Sequence, residues 1–380
     1  MCRRIFRGMQ SSNPTGKAVP PAREITEEQF TTFIVYILRG TAEEKGALIT
    51  SMIIPNKETV KREDVQEFLE DLICGVINAL LENNATRGWR MVNTRNCKLG
   101  SVYLAVQLLS QLHLAKEEEE EEEERHNSYY PQASIMDWLC RTPLVSVFLR
   151  ITVTMGLSVL QNSTEQQQDL RSLIPTCKMG NWADYCSLLD FPSIIFLNYH
   201  LPAEMQHRWR LLFSTLVYGR SFIQLCTHLV DKGPTLLVLR DTNGFIFGGF
   251  ASPNWEVKPQ IQGDSRCFLF TVFPKFGIYT CTGCNGQYMY LNHGIQADPK
   301  GLGMGGYLGC FGLWIDQNFR NGHSKAKPLC TTYNSPRLSA REDFTIDCME
   351  VWQVGNIPEQ LQVGRRNPQK FSSALVLHPL

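Results

Sequence analysis

Neither sign of charge is in excess in this 380-residue chain, which carries 37 Lys and Arg against 37 Asp and Glu. No global field therefore draws it to nucleic acid or to an anionic membrane. The first ten residues are basic but lack the apolar centre of a secretory leader. Position 2 is Cys, where N-myristoylation requires Gly. One apolar run, Leu144 to Leu160, approaches the length of a membrane span. It has Arg150 near its middle, with Ser146, Thr152, Thr154 and Ser158 around it, so it reads as a buried helix. No zinc-type double pair of cysteines is present. The thirteen cysteines are odd in number and irregularly spaced, and Cys74, Cys226, Cys267 and Cys310 sit inside apolar runs. They read as reduced, buried thiols of a cytoplasmic protein.

Enough length remains for two or three domains with a real core. Residues 1–23, rich in Ser, Pro, Gly and Arg, read as a flexible tail. Residues 24–116 read as helical. Thr26-Glu27-Glu28-Gln29 has the form of a capping box, and Phe30, Phe33, Ile34 and Ile37 follow at helical spacing. Gly40 and Thr41 mark the next boundary, and a helix is predicted from about Glu63 to Leu81. The cadence around Pro55 to Lys61 is that of an EF-hand without its calcium chemistry, because Pro55, Lys57 and Lys61 stand where oxygen ligands belong. Eight consecutive glutamates, Glu117 to Glu124, place a solvated acidic linker over 117–133. A helical connection over 134–181 follows, with Trp138 on its apolar face.

From residue 182 the pattern changes. Leu201-Pro202 is read as opening a helix through Trp209 to Leu216, and a second helix covers Ser221 to Val230. Strands then dominate. PTLLVLR and FIFGGFA flank Asp241-Thr242-Asn243-Gly244, a hairpin signal, and further short strands alternate with Gly-rich turns to residue 355. Residues 356–380 read as a tail. The fold class is α+β: a metal-free, EF-hand-like helical region followed by a two-layer β-sandwich with flanking helices.

Three motifs invite catalytic readings. Gly301, Gly303 and Gly306 spell G-x-G-x-x-G, but the residues after them read as strand, whereas a dinucleotide site needs a helix there. Cys281-x-x-Cys284 precedes Asn285-Gly286, a turn between strands, rather than a helix N-terminus that would lower a thiol pKa. Gly322-His323-Ser324 lacks an elbow and a placed base. The same holds for Glu256, His293 and Glu350, among which no pair stands out as an acid–base couple. No catalytic residue, cofactor or metal ligand is assigned.

FGGFAS, the GLGMGG–GLWID stretch, TTYNSP and MEVW occur in that order, and HRWRLLFSTLVYGRSFIQLCTHL precedes them. On these motifs residues 182–355 resemble the TLDc-domain family, and residues 24–160 resemble the helical region of its mTOR-associated, Eak-type members. The resemblance implies a non-enzymatic adaptor or regulator that binds the peripheral sector of the vacuolar-type proton ATPase. It also implies a link to mTOR pathway components and oxidative-stress resistance, and peripheral association with the lysosomal membrane. Asp241 and Asn243 at the hairpin tip, and Gly301, Gly303, Met304 and Tyr307 in the glycine-rich loop, are the expected partner-binding residues. The competing expectation is a thiol-based antioxidant enzyme using Cys281 or Cys284.

Overall fold

The computed structural model describes residues 1–12, 24–55, 59–90, 94–112, 129–159, 163–179, 185–296, 298–307, 309–326 and 329–355. The acidic run Glu117 to Glu124 and the tail 356–380 lie outside the described residues. The expected N-terminal tail is corrected over its first half. Cys2–Ser11 is a helix (α1) that buries Ile5, Gly8 and Met9. Arg4 bonds through Nε to Asp71 at 2.7 Å.

Glu27–Arg39 (α2) and Ala42–Ile53 (α3) both begin with complete capping boxes, at Thr26–Gln29 and Thr41–Glu44. Each box satisfies two N-terminal N–H groups reciprocally, which explains why these boundaries were legible. Thr59–Lys61 (β1) leads into Arg62–Glu82 (α4), and Tyr129–Pro131 (β2) leads into Gln132–Arg141 (α6). Thr94–Leu109 (α5) stands between α4 and β2. The two strands pair antiparallel with Val60 opposite Tyr130. Two helix–loop–helix units joined through a short ladder have the shape of paired EF-hands. Among the described residues no group of three or more His, Cys, Asp or Glu is placed to hold a metal ion.

The helical connection is not continuous. It breaks at Thr142-Pro143, because a residue before proline is driven out of the α region. Pro143–Gly156 (α7) then departs at 93°. Among the described residues no single helix is long and apolar enough to cross a membrane. Arg150 is matched by a bidentate ion pair with Asp169 at 2.6 and 2.8 Å.

Beyond Thr164–Leu173 (α8), Thr176–Lys178 (β3) and Phe191–His200 (α9), a second expectation is corrected. Arg208–Ser214 is a strand (β4), not a helix. Trp209, Leu211 and Phe213 alternate at period two and align with β14 (Asp343–Val354), Trp209 opposite Val354. Tertiary pairing outweighs helical propensity here. The first sheet runs β3, β4, β14, Thr235–Asp241 (β5), Ile246–Ala251 (β6), Phe268–Phe273 (β8) and Gly277–Thr280 (β9). The second runs Lys258–Gln262 (β7), Met289–Asn292 (β10), Gly301–Tyr307 (β11), Cys310–Asp316 (β12), Asn321–His323 (β13) and again β14. The two sheets share β14, whose first residues pair with β13 and whose remainder lies between β4 and β5.

The expected sandwich is present. Leu237, Leu239, Phe247 and Leu269 of the first sheet share one core with Leu291, Leu302, Met304 and Leu313 of the second. The opposite face of the first sheet is buried too. Leu236, Val238, Phe250, Phe270 and Trp352 belong to the core of the helical region. A continuous apolar strand such as TLLVL is what a sheet covered on both faces requires. Trp89, from the loop after α4, packs on Trp352 at 4.9 Å and on Trp209 at 5.6 Å. The helices therefore form a third layer, and a boundary drawn at residue 182 divides a shared core.

Glu350 sits in that seam and is fully buried. Its carboxylate accepts hydrogen bonds from Tyr185 Oη (2.6 Å), Ser187 Oγ (2.8 Å), Leu188 N (2.7 Å) and Trp352 Nε1 (2.8 Å). Burial pushes its pKa up and the four donors oppose the shift. Glu350→Gln keeps one acceptor oxygen for four donors. It is expected to lower unfolding stability by about 2–4 kcal/mol, measured by urea denaturation, because buried donors left unmatched each cost about 1–3 kcal/mol.

Candidate partner-binding surface

The glycine-rich stretch does not form a loop. As β11 it lies between β10 and β12, with Gly303 opposite both Tyr290 and Trp314. Its inner side chains, Leu302 and Met304, fill the sandwich. On its outer face the rings of Tyr290, Phe311 and Trp314 lie together, Phe311 stacked on Trp314 at 4.8 Å. Glycine is required beneath them: a Cβ on Gly303 would stand 2.8 Å from the Phe311 ring and one on Gly301 2.5 Å from Trp314. The density of glycine thus reflects rings lying across a strand. Gly301, Gly303 and Met304 are buried, which corrects the expectation that they face a partner. The Tyr307 side chain lies outside the described residues. No helix follows β11, so the G-x-G-x-x-G spacing has no dinucleotide-binding context.

The hairpin tip divides in two. Asp241 is buried: its Oδ1 accepts from the amides of Asn243 and Phe245, both at 2.9 Å, and its Oδ2 from Ser339 Oγ. Asp241 is therefore the anchor of the turn, correcting its expected role as a contact. Gly244 takes φ +84°, and Thr242 and Asn243 are the residues the turn presents to solvent.

The Cys281–Cys284 turn follows β9 and is tied to the Thr331–Thr332 segment through Thr282 N to Thr332 O at 2.9 Å. The Gly283 amide donates to Cys281 Sγ at 3.3 Å. No disulfide forms among the described cysteines. Burial pushes the thiols of Cys177 and Cys226 up to about 12 and about 11, so neither is a thiolate near neutral pH. Of the remaining motif residues, Glu256 pairs with Lys258 on the surface at 2.8 Å, and His293 lies against the Phe222 ring.

Sequence reasoning missed the most apolar exposed feature of the sandwich. Between β4 and β5, Thr215–Tyr218 (α10) and Phe222–Leu229 (α11) form an elbow around Gly219, at φ +72°. Ser214 Oγ accepts from Leu216 N, and Ser221 Oγ from Gln224 N, which caps both short helices. Phe222, Leu225 and Leu229 face the core. Tyr218 stacks on Phe213 at 5.8 Å and packs on His228 at 4.2 Å. On this braced support Leu216 is 68% and Ile223 62% exposed. The signal was in the sequence as two apolar residues off the inward face of α11 and its neighbour. It was obscured by the reading of Trp209 to Leu216 as one helix.

The model of the TLDc domain matches residues 183–355. Over 369 residues the chain is 50% identical to "MTOR-associated protein MEAK7" of Xenopus laevis, covering 97% of this chain and 80% of that protein. This chain belongs to the MEAK7 family of TLDc-domain proteins. The Homo sapiens MEAK7 protein is 43% identical over 367 residues, 97% of this chain and 79% of the relative. "Nuclear receptor coactivator 7" of Mus musculus is 34% identical over 170 residues, 44% of this chain and 17% of that protein. The MEAK7 family likeness thus extends over the helical layer as well as the sandwich.

His323 of β13 stacks on Trp314 at 5.9 Å, and burial, reinforced by Lys325, lowers its pKa to about 4. An unfolded histidine titrates near about 6.5. The folded pKa is the lower one, so this contribution to stability is complete above about pH 6.5 and is lost as pH falls toward 4. The melting temperature is expected to decline across that window, and His323→Phe is expected to flatten the decline.

Proposed function

We propose that this protein is a non-enzymatic adaptor whose sandwich docks on the peripheral sector of the vacuolar-type proton ATPase. In this reading it acts at the lysosomal membrane, links the pump to mTOR signalling and contributes to oxidative-stress resistance. The observation that carries the adaptor reading is the 42–50% identity over 94–97% of the chain to proteins of five species named for their association with mTOR. The pump as partner follows from the TLDc resemblance.

The elbow is the contact this reading favours. Specific interfaces bury on the order of 1,000 Å² or more and depend on a few apolar anchors held on a rigid support. Leu216 and Ile223 meet that description, and Asn243 at the hairpin tip is an exposed polar position of the same sandwich.

A pull-down of the full chain with purified peripheral sector tests both parts. Wild-type protein is expected to bind, and Leu216→Asp with Ile223→Asp is expected to weaken binding about tenfold or more with little change in melting temperature. Failure of the wild type to bind rejects the pump as partner and leaves the family membership intact. Undiminished binding by the double variant places the contact elsewhere. In cells lacking the protein, Cys281→Ser with Cys284→Ser is expected to protect against peroxide as well as wild type; loss of protection supports thiol chemistry instead.

A further inference from the structure

A cleft of about 500 Å³ opens between the helical layer and the first sheet, and the adaptor reading makes no use of it. Small-molecule sites commonly measure about 300–1,000 Å³ and favour the boundaries between domains. The apolar wall of this cleft is Leu99 and Tyr103 of α5, with Ile246, Val272 and Phe273 of the first sheet. Leu99 is 46% exposed, and the Tyr103 ring meets Phe273 edge-on at 5.7 Å.

Two charged side chains line the same cleft, and each has bonding capacity left over. Asp190 caps α9: its Oδ1 accepts from Ser193 N at 2.9 Å and from Ser193 Oγ. Its Oδ2 takes no hydrogen bond from a described residue and lies against Gly100 of α5, where any Cβ would overlap it. Burial pushes this carboxyl above its ordinary value, and the bonds from Ser193 oppose the shift. A cation at Oδ2 would relieve that cost. Arg240, near the end of β5, donates through Nε to Asp347 at 2.7 Å. Its two Nη groups make no hydrogen bond to a described residue. A ligand of one sign alone meets a like charge at one end of this cleft. One that carries both signs matches each end with a charge-assisted hydrogen bond.

We propose that this cleft binds a zwitterion with an apolar side chain, a free amino acid or a short peptide, with its ammonium on Asp190 Oδ2 and its carboxylate on Arg240. The side chain rests on Leu99, Tyr103 and Phe273, where an aromatic ring gains edge-to-face contact. Occupancy reaches the seam directly, because Ser187 and Leu188 line the cleft and also hold Glu350. A ligand that binds only the folded chain there stabilises the join between the helical layer and the sandwich. This inference is independent of the pump and of the elbow.

Isothermal titration calorimetry and the melting temperature of the full chain test it. The probes are phenylalanine, the dipeptide phenylalanylleucine, and the N-acetyl and amide forms of each. Wild-type protein is expected to bind phenylalanine or the free dipeptide and to melt higher in its presence, the tighter of the two giving the length of the ligand. Acetylation and amidation each remove one charge and are expected to weaken binding about tenfold or more. Asp190→Asn keeps an oxygen for the α9 cap and is expected to lose the same factor for the free ligand, with no further loss for its acetylated form. Arg240→Gln is expected to do the same for the amide. Binding that ignores both acetylation and amidation overturns the proposal, since only apolar surface is then recognised. Equal affinity in wild type and both variants also overturns it, as does the absence of heat and of any melting shift with phenylalanine and the free dipeptide alike. The acetylated and amidated ligands are titrated into wild-type protein, so the result does not depend on the folding of a variant.

Discussion

A carboxylate held away from water joins the two halves of this molecule. Glu350 projects from β14 toward the helical layer, where Tyr185, Ser187 and Leu188 reach it from the segment preceding α9. An ionisable group in such a place is tolerable only when its lone pairs are occupied. The donors come from residues more than 160 positions away in sequence, so the segment entering α9 cannot shift without stranding them. Trp352, two residues on, carries the fourth donor and places its ring among Trp89 and Trp209. Polar and aromatic contacts thus bind the same strand to the same layer.

Much of the architecture was legible because local chemistry and tertiary context agree. The capping boxes at Thr26 and Thr41 and the turn at Asp241–Gly244 need nothing from distant residues to be recognised. The family motifs located the sandwich for the same reason, since they cluster in its strands. Arg208–Ser214 was misread because its apolar residues, Trp209 and Leu211 to Phe213, fit either period, and only the neighbouring edge of β14 decides between them. Cys2–Ser11 was missed because three arginines and few large apolar residues mask its inward face, which becomes apparent only where Arg4 meets Asp71.

The candidate surface was less legible, for a physical reason. Glycine marks a close approach, and the approaching group can be a ligand, a partner or the protein's own rings. At Gly301 and Gly303 it is Trp314 and Phe311. Asp241 presents the same ambiguity: a turn-forming carboxylate looks available in sequence, but its oxygens are already taken by the backbone it shapes. Exposure of Leu216 and Ile223, by contrast, depends on where a tight elbow points, which no periodicity records.

The position of β14 has a consequence for biosynthesis. It is the last described strand in the chain and yet a central one, flanked by β4 and β5 and continuing into the second sheet beside β13. On the ribosome, β4 and β5 emerge more than a hundred residues before the strand that separates them. Until Asp343–Val354 clears the exit tunnel, both present unpaired edges with apolar faces, the kind of surface that recruits chaperones. The sandwich is therefore completed only once β14 has emerged, and a chain stopped short of residue 343 lacks the strand common to both sheets.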